Sequence, residues 1–170
     1  ISGSNYNKLR YGENPHQKAG FYSTAESNKT FFEKINGKEL SYNNLNDIGL
    51  GLKLVSEFVS PTCVIIKHAI PSSVSESKDI NSAWVKAFSA DSLSAFGGVI
   101  IFNREVNKKL AEKLSSIFLE AIVAPSFSEE SLDILSKKSN LRLVKIKNIK
   151  SLVSKFNLDI SLLPGGMLVQ

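Results

Sequence analysis

Lys67 and His68 stand side by side where an apolar, β-branched run ends, and that placement gives the pair chemical meaning. A histidine side chain titrates near neutral pH and can take or give a proton. A lysine beside it can stabilise negative charge developing on a carbonyl oxygen. The dipeptide alone is a weak signal and fits a solvent-facing lysine and a hydrogen-bonded structural histidine somewhat better. A second candidate is Ser94-Ala95-Phe96-Gly97-Gly98, whose glycines open another apolar run and would let backbone N–H groups approach a ligand, or simply form a tight turn. Its glycine spacing fits neither a Walker loop nor a dinucleotide fingerprint. A third is the loop at residues 9–17, LRYGENPHQ, where Arg10 can grip a phosphate and Tyr11 can stack on a heterocycle. His16 and His68 are the 2 histidines of the chain, and their spacing matches no common metal pattern, so no catalytic metal is expected.

Elements of both kinds must position these groups. Leu45, Ile48, Leu52 and Val55 recur at helical steps, predicting an amphipathic helix from residue 44 to about residue 58, with Asn44 or Asn46 as its N-cap. Residues 62–67 lack alternation and read as a strand covered on both faces, followed by a Pro-Ser-Ser loop. A helix over residues 78–90 carries Ile80, Trp84, Ala87 and Phe88 on one side. A buried strand follows at residues 97–102, then a helical stripe through Val106, Leu110, Leu114, Ile117 and Phe118. Residues 121–124 form another short apolar strand. Residues 126–129 match a capping box for a helix reaching about residue 138, and residues 141–146 form a further strand. The first 40 residues read as irregular with one or two short strands. Alternating strands and helices predict a layered α/β domain with a largely parallel sheet, its ligand at the carboxyl ends of the strands.

The chain of 170 residues fits a single domain, residues 1–170. Apolar runs such as Val64-Ile65-Ile66 are far too short to span a bilayer, so no membrane partner is expected. One cysteine, Cys63, excludes an internal disulfide and suits a reducing, cytoplasmic setting. The net charge is +5, and residues 137–155 hold seven basic side chains and no acidic one. That stretch reads as a solvated face or a surface for small anions rather than a nucleic-acid site, since neither interleaved aromatics nor zinc spacing accompanies it. The chain starts at Ile1 and stops after a Gly-Gly turn in an apolar run that reads as a strand in need of a neighbour, predicting a piece of a longer protein.

Taken in order, residues 9–17, 36–47 (NGKELSYNNLND), 64–68 (VIIKH), 94–103 (SAFGGVIIFN) and 121–130 (AIVAPSFSEE) resemble the 5-aminoimidazole-4-carboxamide ribonucleotide (AICAR) transformylase domain of bifunctional purine-biosynthesis proteins. Residues 164–170 are similar to that family's Gly-Gly-aliphatic-Val-Gln segment. The resemblance implies a three-layer α/β/α, cytidine-deaminase-like unit without the deaminase zinc, the first of two such units behind a cyclohydrolase domain. It implies transfer of a formyl group from the co-substrate 10-formyltetrahydrofolate to the 5-amino group of AICAR, at a site completed across a homodimer. His68 matches the family's proton-accepting histidine and Lys67 its neighbouring lysine. Arg10 and Tyr11 match a nucleotide-contacting pair, Asn44 a substrate-contacting asparagine, Gly97 a nearby backbone loop, and Glu120 an acidic position beside the ligand. Where the family continues Lys-His with a small residue, Asn-Pro and a glycine, this chain has Ala69, Ile70, Pro71 and, at the glycine, Ser73. Isoleucine cannot hydrogen-bond its own backbone as asparagine does, and it resists positive φ, so the loop after His68 is expected to differ in shape. A non-catalytic nucleotide-binding module is the alternative that this departure raises.

Overall fold

The computed structural model describes residues 4–9, 11–23, 31–154 and 160–170. A hairpin of β1 (Ser4–Lys8) and β2 (Gly20–Ser23) comes first, followed by β3 (Glu33–Asn36) and α1 (Tyr42–Ser56). Next come β4 (Thr62–Lys67), β5 (Ile70–Glu76), α2 (Ile80–Ala90), the short α3 (Ser92–Ala95) and β6 (Val99–Phe102). The chain continues through α4 (Lys108–Ser115), β7 (Ala121–Ala124), α5 (Glu129–Leu135), β8 (Arg142–Lys145) and α6 (Ile149–Val153). A second hairpin pairs β9 (Ile160–Leu163) with β10 (Gly166–Val169), so the apolar run near residue 170 has its neighbour immediately before it.

Six strands make one sheet in the order β3-β8-β7-β6-β4-β5. Its two faces are covered by different helices, which gives the expected three-layer α/β/α arrangement. One face joins Ile65, Ile100, Phe102, Ile122 and Leu143 to Trp84 and Ala87 of α2, Leu110 and Leu114 of α4, and Leu135 of α5. The other joins Val64, Ile66, Ile101, Val123 and Val144 to Ile48, Leu52 and Val55 of α1 and Ile149 of α6. Successive strand residues therefore enter different cores, which explains why these runs show no polar alternation. Each fully buried Ile, Leu or Val contributes about 1.5–3 kcal/mol. At Gly51, α1 lies so near the sheet that an added Cβ would sit 2.3 Å from Ile101 Cδ1.

The sheet is mixed, but it is not mostly parallel. Parallel pairing is confined to β6, β7 and β8, whereas β3–β8, β6–β4 and β4–β5 pair antiparallel. A strand buried on both faces carries the same apolar signature in either direction, so composition could not decide this. Residues 70–76 form an edge strand in place of the expected loop. Pro71 is tolerated there because an edge strand leaves one row of N–H groups unpaired.

The N-cap of α1 is Ser41 rather than Asn44 or Asn46. Asn44 N–H donates to Ser41 Oγ while Asn44 Oδ1 accepts from Ser41 N–H, each at 3.1 Å, a capping box with asparagine in the usual Glu/Gln place. For α5 the cap is Ser128, whose Oγ accepts from Ser131 N–H, and not Ser126. Three of the described side chains in the basic stretch are engaged within the fold. Lys138 Nζ donates to Ile117 O, Arg142 Nε to Glu39 O, and Lys145 Nζ lies 3.7 Å from a Glu33 carboxylate oxygen. Among the described residues, no helix is long and apolar enough to cross a membrane.

Candidate functional site

The antiparallel return of β4 relocates the site. Ile66 is registered with Val99, and Val99 with Ala121, so the carboxyl end of β4 lies beside the amino ends of β6 and β7. Lys67 and His68 thus share one end of the sheet with Gly97 and Glu120, and this is the amino end of the parallel strands rather than their carboxyl end.

His68 and Ala69 form the two-residue turn between β4 and β5, across which Lys67 is registered with Ile70. Both turn residues have positive φ, 52° and 58°. That is the signature of a type I′ hairpin, usually made by Asn-Gly. Non-glycine residues in this region cost on the order of 1–3 kcal/mol each and persist only where surrounding contacts enforce them. One such contact is visible. Asp47, on the second turn of α1, accepts the Ala69 N–H on Oδ1 at 2.7 Å. Its carboxyl is buried, and burial raises its pKa above the ordinary 3.8. The Ala69 N–H and the charges of His68 and Lys67 pull the other way, while the Glu120 charge adds to the rise.

Lys67 is half-buried, and its Nζ donates to the carbonyl oxygen of Phe96. Gly97 makes that approach feasible. It sits at φ +69°, and a Cβ there would lie 3.2 Å from Lys67 Nζ and 3.4 Å from Phe118 Cε1. The glycines do not present free amides to a ligand, because Gly97 N–H donates to Phe118 O at 2.7 Å and Gly98 N–H to Ala95 O at 3.0 Å. Their use here is space and a left-handed backbone.

Asn44 is 1% exposed, and both ends of its amide are engaged: Oδ1 with Ser41, and Nδ2 donating to Glu120 Oε2 at 2.7 Å. Glu120 is anchored through its backbone too. Its N–H donates to Gly98 O at 3.1 Å and its carbonyl accepts from Arg142 N–H at 3.2 Å. Lys67, His68, Gly97, Asn44 and Glu120 therefore come together around Asp47. Tyr11 is half-buried in a separate loop, fixed by Gly12 N–H to Gln17 O at 2.9 Å and joined to the start of α1 by Asn43 Nδ2 to Glu13 O at 3.1 Å. Arg10 lies outside the described residues.

After His68 the chain forms β5, whose pairing with β4 shifts register between Pro71 and Ser73. Ile70 begins β5, is 65% exposed, and is not among the positive-φ residues. Ser73 is buried and its Oγ donates to Ala87 O at 2.8 Å, tying β5 to α2. The strain falls on His68 and Ala69 instead. Sequence reasoning missed Asp47, although a carboxylate three positions after Asn44 falls on the same helix face and was a usable signal. Among the described residues, no group of three or more His, Cys, Asp or Glu side chains is arranged to hold a metal ion.

The family model for the AICARFT/IMPCHase bienzyme matches residues 1–170. The chain belongs to that family. It is 46% identical over 165 residues to the bifunctional purine biosynthesis protein PurH of Acetivibrio thermocellus, and 49% identical over 165 residues to that of Bacillus cereus. Each alignment covers 95% of this chain and 32% of the relative, so the chain spans about a third of their length. Among solved structures, Acinetobacter baumannii RibD aligns with a TM-score of 0.44 and 15% identity over 68% of this chain and 37% of that one. The family is one of purine-biosynthesis enzymes, and the α/β fold described above is the part of it that this chain provides.

Proposed function

We propose that this chain supplies the Lys-His part of a formyl-transfer site, moving the formyl group of 10-formyltetrahydrofolate to the 5-amino group of AICAR. The observation that carries the reading is the turn itself: Lys67 and His68 held at one sheet end beside Gly97 and the Asn44–Glu120 pair. The amine of AICAR is a weak nucleophile because its lone pair is delocalised into the ring and carboxamide. Attack on the formyl carbon needs a base for the departing N–H proton and a cation for the tetrahedral oxyanion. His68, exposed at the turn, would accept that proton. Lys67, whose Nζ donates to Phe96 O, would turn to the oxyanion. Collapse then breaks the bond to N10 of the folate, which takes up a proton. Tyr11 and Arg10 are assigned to the nucleotide, and no metal is invoked.

The family carries two activities, and their separate assays test the proposal. In the full-length protein, Lys67→Ala and His68→Ala should each lower formyl transfer by roughly 10²–10⁴-fold. Ring closure of the formylated product should be unchanged. Loss of ring closure with transfer intact would assign this chain to the other activity. We further propose a cytoplasmic homodimer that completes the site, so that the isolated chain binds AICAR weakly and turns over poorly. Calorimetry with AICAR, with Lys67→Ala as control, measures this. The alternative is a non-catalytic nucleotide-binding module, and AICAR binding without formyl transfer in the full-length protein would favour it.

A further inference from the structure

We infer that Asp47 is the positioning residue that holds the His68–Ala69 turn, and through it the Lys67–His68 pair, in working geometry. The consequence for catalysis rests on the formyl-transfer reading; the tether itself does not. In a two-residue hairpin the strands hydrogen-bond through the residues flanking the turn, so the turn's own second N–H has no partner across the ladder. Here that N–H, on Ala69, donates to Asp47 Oδ1 at 2.7 Å. The donor and acceptor are 22 residues apart and belong to different layers, one on α1 and one on the sheet edge. Asp47 is 9% exposed and backed on the same helix by Asn44, whose amide is locked to Ser41 and Glu120. A fixed helix thus grips a hairpin tip made of residues that resist its conformation, His68 at φ 52° and Ala69 at φ 58°.

Such a tip would otherwise relax, swinging the side chains of Lys67 and His68 away from the reacting atoms. The charged groups facing Asp47 are Lys67 and His68 from the turn and Glu120 from the start of β7. The carboxylate is therefore close to the chemistry, yet its hydrogen bond goes to backbone. Asp47 acts on geometry, and Lys67 and His68 on the substrate.

Glycine adopts positive φ without penalty, so the turn can be repaired without the tether. Asp47→Ala should lower kcat for formyl transfer by roughly 10–100-fold with a smaller change in the KM for AICAR, as expected of misplacement by about 1 Å. Adding Ala69→Gly to that variant should restore most of the loss, whereas Asp47→Asn, which keeps an oxygen acceptor, should stay near the parent. In the 170-residue chain, the Ala69 amide should exchange slowly with solvent and be deprotected by Asp47→Ala, as read by NMR. Unchanged kcat and unchanged Ala69 exchange in Asp47→Ala would overturn the inference. So would a loss that Ala69→Gly does not repair. If Asp47→Ala does not fold, slow Ala69 exchange in the parent that persists in Asp47→Asn supports the tether, and fast exchange in the parent refutes it. Should the parent protein transfer no formyl group while Ala69 remains protected in an Asp47-dependent way, the functional reading fails and the tether stands.

Discussion

His68 and Ala69 occupy a region of backbone space that residues with a Cβ enter reluctantly, and Gly97 occupies the same region for a different reason. At Gly97 the backbone needs glycine and Lys67 needs the room. Gly97→Ala should therefore destabilise the chain by about 1 kcal/mol or more in chemical denaturation and also weaken the AICAR binding proposed above, since the new methyl meets Lys67 Nζ. Asp47 makes a prediction of opposite sign. Its folded pKa is raised by burial, so its ionised form opposes folding: the stability it contributes is full below the ordinary value of 3.8 and is lost as pH rises through the raised folded value. Asp47→Asn should accordingly be at least as stable as the parent at neutral pH. That advantage should shrink as pH falls toward 3.8, which denaturant midpoints across pH would reveal. At this scale Lys67, His68, Asn44, Gly97 and Glu120 were legible as a set from ordered motifs. Asp47 shares a helix face with Asn44, but the sequence does not show the distant Ala69 amide that it binds.

Elements turn these residues into a site by holding both sides of it. Helix α1 brings Asn44 and Asp47 on one face while burying Ile48, Leu52 and Val55 on the sheet, and the β4–β5 hairpin brings Lys67 and His68. The apolar periodicity of α1 and the unbroken run of β4 were readable because burial imposes them directly. The existence of β5 was not readable, since Ile-Pro-Ser-Ser resembles a loop, and a His-Ala turn carries none of the usual hairpin chemistry. Strand direction is hidden too, so the sequence does not show that Lys67 and His68 lie at the amino end of the parallel strands. Capping was visible in kind but not in position. At α4, Asn107 Oδ1 accepts Leu110 N–H at 2.9 Å, and Asn107→Ala should cost about 0.5–2 kcal/mol in thermal or urea unfolding without affecting the proposed AICAR binding, because α4 lies in the layer away from α1.

At the scale of the whole molecule, the sheet divides the interior into two cores that share a backbone but few side chains. Ile48→Val and Ile122→Val, one in each core, should each cost about 0.5–1.5 kcal/mol and combine additively to within roughly 0.5 kcal/mol in a double-mutant cycle. The three-layer class was legible from alternating elements, whereas the order of strands was not, because nothing local announces that β3 belongs beside β8. That pairing has a consequence in time. Asn36 Nδ2 donates to Leu141 O at 2.8 Å across 105 residues of sequence. On a ribosome adding about 5–20 residues per second, β3 emerges roughly 5–20 s before the strand it must join. For that interval the nascent chain carries an edge segment without its mate, and the sheet can close on that side only after β8 has been made.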